Sequence, residues 1–405
     1  MKNIIERIGQ KEHEYVAEVL RTNFRSSSGS VMMRRLEEAF AKKFGVKYAI
    51  SHVNGTATLH SAIAAAGVGA GDEVIVPPLT MSSTAFAVLQ NNAVPVFADV
   101  EEDTFNISPK AVEALITNKT KAIMPVSLYG LPCNSIELKK IAEKHNVKLI
   151  EDNAECFLGK IEGQYAGKLS DMASFSFQSS KHLTSGEGGM IITDDEELAN
   201  RIRRFSSLGY AGVSAGKGKI TKDDIQDPAY ERHCSMGWNY RMPELCSAVV
   251  LAQLEHADEL VQRRIDAANL FREKLEQADW LRPQAVPDGY ENSYWTLAVQ
   301  LDTDRISWHT FRDTFRKNGG DGVYSAWKLT YMEPMFQKQM LEGREIFFKE
   351  PFQNVDFSQY REGLCPVAEK LQKSMLQFKT NYWDWEKAEK QAEILAKTIK
   401  ELSDR

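Results

Sequence analysis

From about residue 45 to about residue 210, short β-branched runs alternate with stretches whose apolar residues recur at helical spacing. The runs are KYAIS (47–51), EVIVP (73–77), VPVFAD (94–99), KAIMPV (121–126), VKLIED (147–152), MASFSF (172–177) and GMIIT (189–193). Their length and β-branching predict strands. Helix signals stand between them. SPKAVEALI has Ser108 as N-cap and Pro109 at the first helical position, where a missing N–H costs nothing. NSIELKKIAEKHN sets Ile136, Ile141 and Ala142 on one face. TDDEELANRIRRF repeats Leu198, Ile202 and Phe205 and predicts a capping box in which Thr193 reaches toward Glu196.

Alternation at this spacing predicts an α/β fold, a largely parallel sheet with helices on both faces. Ligands of such sheets bind outside the carboxyl ends of the strands. The segments that follow the runs are His52-Val53-Asn54-Gly55-Thr56, Pro78-Leu79-Thr80, Asn153-Ala154-Glu155 and Gln178-Ser179-Ser180-Lys181. Further on, one long helix is predicted over 243–277, then a less regular, aromatic-rich part that ends in a charged helix, EKAEKQAEILAKTIKEL. The stretch 210–233 has no apolar period and reads as a long surface loop, of a kind that often covers a site.

Length changes the picture first: 405 residues call for a large domain and a smaller one. A net charge of -6 gives no electrostatic footprint for nucleic acid or an anionic membrane. No run approaches 18 apolar residues, and the charged opening MKNIIERIGQKEHEYVAEVL lacks the apolar core of a signal peptide. Five dispersed cysteines without CxxC spacing point to reduced thiols, hence a cytoplasmic protein. His52, His60, His182 and His233 lack metal-ligand spacing, so no metal is expected.

Lys181 lies among hydroxyls, just before Gly186-Glu187-Gly188-Gly189. An amine-handling cofactor of the pyridoxal phosphate type needs a lysine for a Schiff base, a carboxylate for the pyridine nitrogen and donors for a phosphate. Lys181 and Asp152 supply the first two by residue type. Gly55-Thr56, opening a helix, offers N–H groups to a dianion, and Ser176, Ser179 and Ser180 add hydroxyls. Each piece also has a plainer reading: a turn aspartate, an ordinary helix start, an edge-strand lysine, a tight glycine turn. Glu187 reads as a turn carboxylate and Cys156 as a packing residue.

Order and spacing together carry a resemblance. SFSFQSSKHLTSGEGGMIITDD resembles the lysine motif of the DegT/DnrJ/EryC1/StrS aminotransferases, pyridoxal-phosphate enzymes of fold type I. HVNGTATLHSAIAAAGVGAGDEVIVPPLT resembles their phosphate segment, LIEDNAECFLGKIEG their cofactor-carboxylate segment and GWNYRMPELCSAVVLAQLE their interdomain segment. The resemblance spans nearly the whole chain. It implies a three-layer large domain (1–255) around a mostly parallel mixed sheet and a smaller α+β C-terminal domain (256–405).

It also implies roles. Lys181 would bond the cofactor and then move the proton, held neutral by burial and a cationic neighbourhood; Asp152 would pair with the pyridine nitrogen. Gly55, Thr56 and Ser176 would bind the phosphate, and Asn239 would reach the phosphate of a neighbouring subunit, implying a homodimer with its sites at the subunit interface. Two positions depart from the family pattern. Met81 stands where an aromatic commonly stacks on the ring, and Glu155 where Gln or His is usual near the ring hydroxyl. Relatives with His in place of the lysine are dehydratases; here the lysine is present and His182 follows it, which favours aminotransfer.

The expected reaction takes an amino group from L-glutamate or L-glutamine to a keto-sugar, first of all a nucleotide-linked one in amino-sugar biosynthesis. A keto-cyclitol of the scyllo-inosose type, or a small phosphorylated ketone, is the alternative. The His-Tyr-Pro signature of many sugar-nucleotide members is absent from DGVYSAWKLTYMEPMF, where Tyr324, Trp327 and Tyr331 either line a substrate pocket or belong to the core. His182 is a further substrate candidate. A non-catalytic regulatory module of the same fold is a remote reading, since the lysine and aspartate are both kept and the first 45 residues have no basic helix-turn-helix character.

Overall fold

The computed structural model describes residues 3–22, 24, 31–216, 223, 226–337 and 357–404. All seven predicted runs form strands of one sheet. In chain order the strands are β1 (Tyr48–His52), β2 (Glu73–Val76), β3 (Val94–Phe97), β4 (Thr120–Ile123) and β5 (Lys148–Asp152), then the short β6 (Lys160–Ile161) and β7 (Gln164–Tyr165), then β8 (Met172–Ser176) and β9 (Gly189–Thr193). The seven-stranded sheet has the order β1-β9-β8-β5-β4-β2-β3. Neighbours from β8 to β3 pair in parallel, whereas β9 is antiparallel to both β1 and β8. The carboxyl ends of β1, β2, β5 and β8 therefore open on one edge, and β9 begins there.

Helices cover both faces. On one, the helix Gly55–Ala65 is buried nearly all round, and its small Ala57, Ser61 and Ala62 let it lie close to the sheet. Its polar Thr58 is satisfied by a 2.6 Å contact with Ser174. On the other, Gln10–Arg21, Val31–Phe44 and Glu244–Glu255 enclose an apolar cluster. Strand alternation sends Phe175 and Phe177 into that cluster, beside Phe40, while Ser174 and Ser176 face the opposite side. Burying each phenylalanine contributes roughly 1.5–3 kcal/mol, which makes a firm base for the segment after β8.

A second, four-stranded antiparallel sheet has the order Leu281–Pro283, Thr296–Leu301, Met375–Lys379, Val323–Tyr324. Helices Ala257–Leu275, Trp308–Lys317 and Trp385–Ser403 share its core, which includes Phe271, Phe311, Phe315 and Phe378. The fold is thus α/β, with a large mixed-sheet unit and a smaller α+β unit.

Two local expectations are corrected. The helix Glu196–Phe205 is capped by Asp195, whose side chain accepts from Glu197 and Leu198 N–H, rather than by Thr193. Thr193 lies within β9 and donates its hydroxyl to the Asp171 carbonyl at 2.7 Å. The single helix expected over 243–277 is two, Glu244–Glu255 and Ala257–Leu275, broken at His256 with φ -122° and ψ 23°. The loop expected over 210–233 falls partly outside the described residues; its two ends meet in a bridge between Tyr210 and His233.

Candidate active site

Asn54 ends the approach to the helix Gly55–Ala65 as an N-cap, its side chain accepting from Ala57 N–H at 2.8 Å. The earlier N–H groups, of Gly55 and Thr56, have no intrahelical acceptor and face the sheet edge. Gly55 is required by close approach: a Cβ there would stand 2.9 Å from Ser176 Cβ and 3.1 Å from Ser176 Oγ. The helix start and the Ser176 hydroxyl therefore form one patch of donors, with Thr56 Oγ1 donating to Ser83 at 2.9 Å.

Asp152 closes β5, 4% exposed. Its Oδ1 accepts from Ala154 N–H at 3.1 Å and its Oδ2 from the Thr84 hydroxyl at 2.9 Å. Burial pushes the carboxyl pKa up, against the pull of those two donors and of Lys181. Glu155, three residues on, is also buried. Its Oε2 accepts from Tyr129 N–H at 3.1 Å, and its Oε1 stands 3.5 Å from Lys181 Nζ. Burial raises the Glu155 pKa too, with Lys181 pulling the other way.

Lys181 follows β8 on a loop whose amide donates back to Gln178 O at 2.9 Å. Its Nζ lies 4.1 Å from the centre of the Trp295 ring. The neighbourhood of the amine is thus carboxylate and aromatic, not cationic as expected; Arg7 and Arg264 come near but address backbone carbonyls of the loop.

These groups face one cavity of about 510 Å³. Gly55, Thr56, Met81, Asp152, Glu155, Ser176 and Lys181 all line it, as do Glu187 and Trp327. Asn239 is exposed and outside it, bridged through its backbone to Ser207. Two expectations fail. His182 does not line the cavity: it is 1% exposed and its Nε2 is bonded to Ser293 O at 3.0 Å. Tyr331 is a core residue, fully buried against Phe97 with its hydroxyl on Glu369.

A second cavity of about 280 Å³ adjoins the first through Ser180, Trp295 and Trp327, and is also lined by Tyr324, Gln377 and Lys379. Trp295, Thr84 and Ser83 escaped the sequence reading. Trp295 immediately precedes a strand of the other sheet, and no local motif ties it to Lys181; the two hydroxyls follow Met81, where the sequence gives only a generic helix start. Among the described residues no three His, Cys, Asp or Glu side chains could hold a metal ion, and no helix is long and apolar enough to cross a membrane.

A model of the DegT/DnrJ/EryC1/StrS aminotransferase family matches residues 6–374. The chain belongs to this family. GDP-perosamine synthase of Caulobacter vibrioides is 40% identical over 297 residues, 73% of this chain and 76% of that one. L-glutamine:2-deoxy-scyllo-inosose aminotransferase of Streptomyces fradiae is 40% identical over 297 residues, 71% of this chain and 68% of that one. Among solved structures, an aminotransferase from Psychrobacter cryohalolentis superposes with a TM-score of 0.83 at 26% identity, covering 98% of both chains. Membership in the DegT/DnrJ/EryC1/StrS family makes the cavity around Lys181 the place to look for transamination chemistry.

Proposed function

We propose that this aminotransferase depends on pyridoxal 5'-phosphate and moves an amino group from L-glutamate or L-glutamine to a nucleotide-linked keto-sugar. The observation that carries the reading is that Lys181 Nζ and the Asp152 carboxylate face one cavity whose rim is a helix N-terminus. The donor set fits the cofactor. Asp152 is a buried carboxylate with two neutral donors, Ala154 N–H and the Thr84 hydroxyl, so a protonated ring nitrogen would relieve the charge that burial makes costly. Gly55, Thr56 and Ser176 would receive a phosphate dianion, which helix N-termini favour. Met81 offers apolar surface to a ring.

When bound, the cofactor supplies an electron sink for the carbon that loses its proton. The chain's own groups do the rest. Lys181 Nζ takes and returns that proton, and Glu155 with the Trp295 face gives the amine a resting place when it is free. Thr84 holds the Asp152 carboxylate in place by its hydroxyl. Trp327 and Tyr324, with Gln377, present aromatic faces and an amide to the acceptor in the adjoining cavity. The GDP-perosamine synthase relative supports a nucleotide-linked acceptor; the relative that acts on 2-deoxy-scyllo-inosose supports a keto-cyclitol as the second reading.

We also assign the protein to the cytoplasm as a homodimer in which Asn239 reaches the partner's phosphate site, with the large and small domains divided between 1–255 and 256–405, at the helix break. The test is spectroscopic. Reconstituted protein should show the visible band of a lysine–cofactor bond, lose it on adding L-glutamate or L-glutamine and regain it on adding acceptor. Lys181→Ala should show neither change. Normal cycling by that variant, or no band in the wild type, refutes the proposal.

A further inference from the structure

Three successive carbonyls of the lysine-bearing loop are held by side chains from distant parts of the chain. Ser179 O accepts from Arg7 Nη1 at 2.8 Å. Ser180 O accepts from Arg264 Nη2 and from Trp295 Nε1, each at 3.0 Å. Lys181 O accepts from Arg7 Nη2 and, at 3.2 Å, from Arg264 Nη2. Arg264 is 1% exposed, and its other terminal nitrogen goes to Trp295 O at 2.8 Å. No carboxylate is among the partners of either guanidinium in the described residues. One buried and one half-buried cation with only carbonyl, hydroxyl and aromatic partners are a costly arrangement, and burial lowers the pKa of both. Neutralising neighbours would have been cheaper if stability were the whole purpose.

The delivery of Arg7 is equally specific. Ile5 N–H donates to Trp383 O, and Trp385 N–H to Asn3 O, both at 2.8 Å, so residues 3–5 are laid against 383–385. The Trp383 ring then lies 5.6 Å from the Arg7 guanidinium and 5.7 Å from that of Arg264. The N-terminal segment, the C-terminal unit and the helix Ala257–Leu275 all meet at the backbone of Lys181.

We propose that Arg7 and Arg264 are positioning residues: by fixing the carbonyls of 179–181 they set where the Lys181 amine stands, and the docked N-terminal segment is part of the active site. The proposal rests on the role of Lys181 given above. A guanidinium-fixed loop holds the amine to within the tolerance that proton transfer needs, and a misplacement of about 1 Å can cost on the order of 100-fold in rate.

Arg7→Ala and Arg7→Lys test it, since Arg7 is only partly buried and lies outside both cavities. In the reconstituted enzyme, Arg7→Ala should lower kcat about 10- to 100-fold with both KM values held within roughly threefold, and Arg7→Lys should recover part of the loss. A second readout needs no cofactor: acylation of Lys181 by acetic anhydride, followed by mass spectrometry, with exposed Lys121 as internal reference. Lys181 should acylate several-fold faster in Arg7→Ala while Lys121 does not change. A kcat within roughly threefold of wild type overturns the proposal, as does a KM rise as large as the kcat loss, an unchanged Lys181 acylation rate, or an acceleration shared by Lys121. Failure of the underlying reading looks different: the wild type itself would lack the visible band.

Discussion

Thr84 Oγ1 donates to Asp152 Oδ2 at 2.9 Å, among the described residues the one side-chain bond to this buried carboxylate. Thr84→Val keeps the shape and removes the donor. It should cost about 1.5–3 kcal/mol, the range for a hydrogen bond to a charged group, and push the Asp152 pKa still higher. Urea unfolding checks it: the midpoint should fall with the slope unchanged. An unmoved midpoint would mean that the hydroxyl does not serve the carboxylate.

Gly55→Ala places a methyl 2.9 Å from Ser176 Cβ. Overpacking of this kind costs roughly 1–3 kcal/mol. Because the strain falls on the donor patch, cofactor affinity should drop by about tenfold or more, read by titrating the cofactor-free protein and following tryptophan fluorescence. Binding as tight as wild type would remove the helix start from the phosphate's surroundings.

Trp327→Ala should raise the acceptor KM by about tenfold, the equivalent of one lost stacking contact, and leave the rate of the donor half-reaction unchanged in rapid mixing. Slowing of both halves together would place the indole on the cofactor instead of the acceptor.

Tyr331→Phe is the contrasting case. The hydroxyl bonds Glu369 in the core, away from both cavities. The variant should lose about 1 kcal/mol of stability by thermal unfolding and retain wild-type kcat. A fall in kcat without a fall in stability would return this residue to the site.

Burial holds two histidines neutral, with pKa values pushed down to about 3 for His52 and about 4 for His60. The unfolded chain takes up protons near pH 6.5, the folded chain only far below, so the unfolded state binds more protons in between. Stability should therefore fall as pH drops from about 6.5 toward 4, by up to ~1.4 kcal/mol per pH unit for each histidine. Asp152 and Glu155, raised by burial, act in the opposite sense over the carboxylate part of that window. The decisive measurement is thus a difference: His60→Gln should flatten the acid limb of the Tm–pH curve relative to wild type, and parallel curves would refute it.

Much of this architecture is legible in the chain because the sheet is buried on both faces, and buried strands announce themselves as short β-branched runs. The lysine, the aspartate and the glycine-threonine helix start are legible for a related reason: the aspartate ends such a run, and the other two come within a few residues of one. What sequence could not supply is long-range. Trp295 and Lys181 are 114 positions apart, and only packing of the second sheet against the first brings them together. Tyr331 shows the reverse, an aromatic near a substrate segment whose direction is decided by Phe97 and Glu369, not by its neighbours in sequence. At the cap of Glu196–Phe205, two competing polar residues stood two positions apart, and Asp195 won because Thr193 was already committed to a strand.

One strand runs against its neighbours. Because β9 is reversed beside β8, Ser176 and Gly189 sit opposite each other on the same rung, and the excursion that carries Lys181 leaves and re-enters the sheet at a single point. Lengthening or shortening that excursion would change the reach of the amine without altering the order in which any other strand is threaded. Its middle is gripped by Arg7, Arg264 and Trp295 at the carbonyls of 179–181, so any change of length has to leave that grip in register for the amine to stay over the cavity.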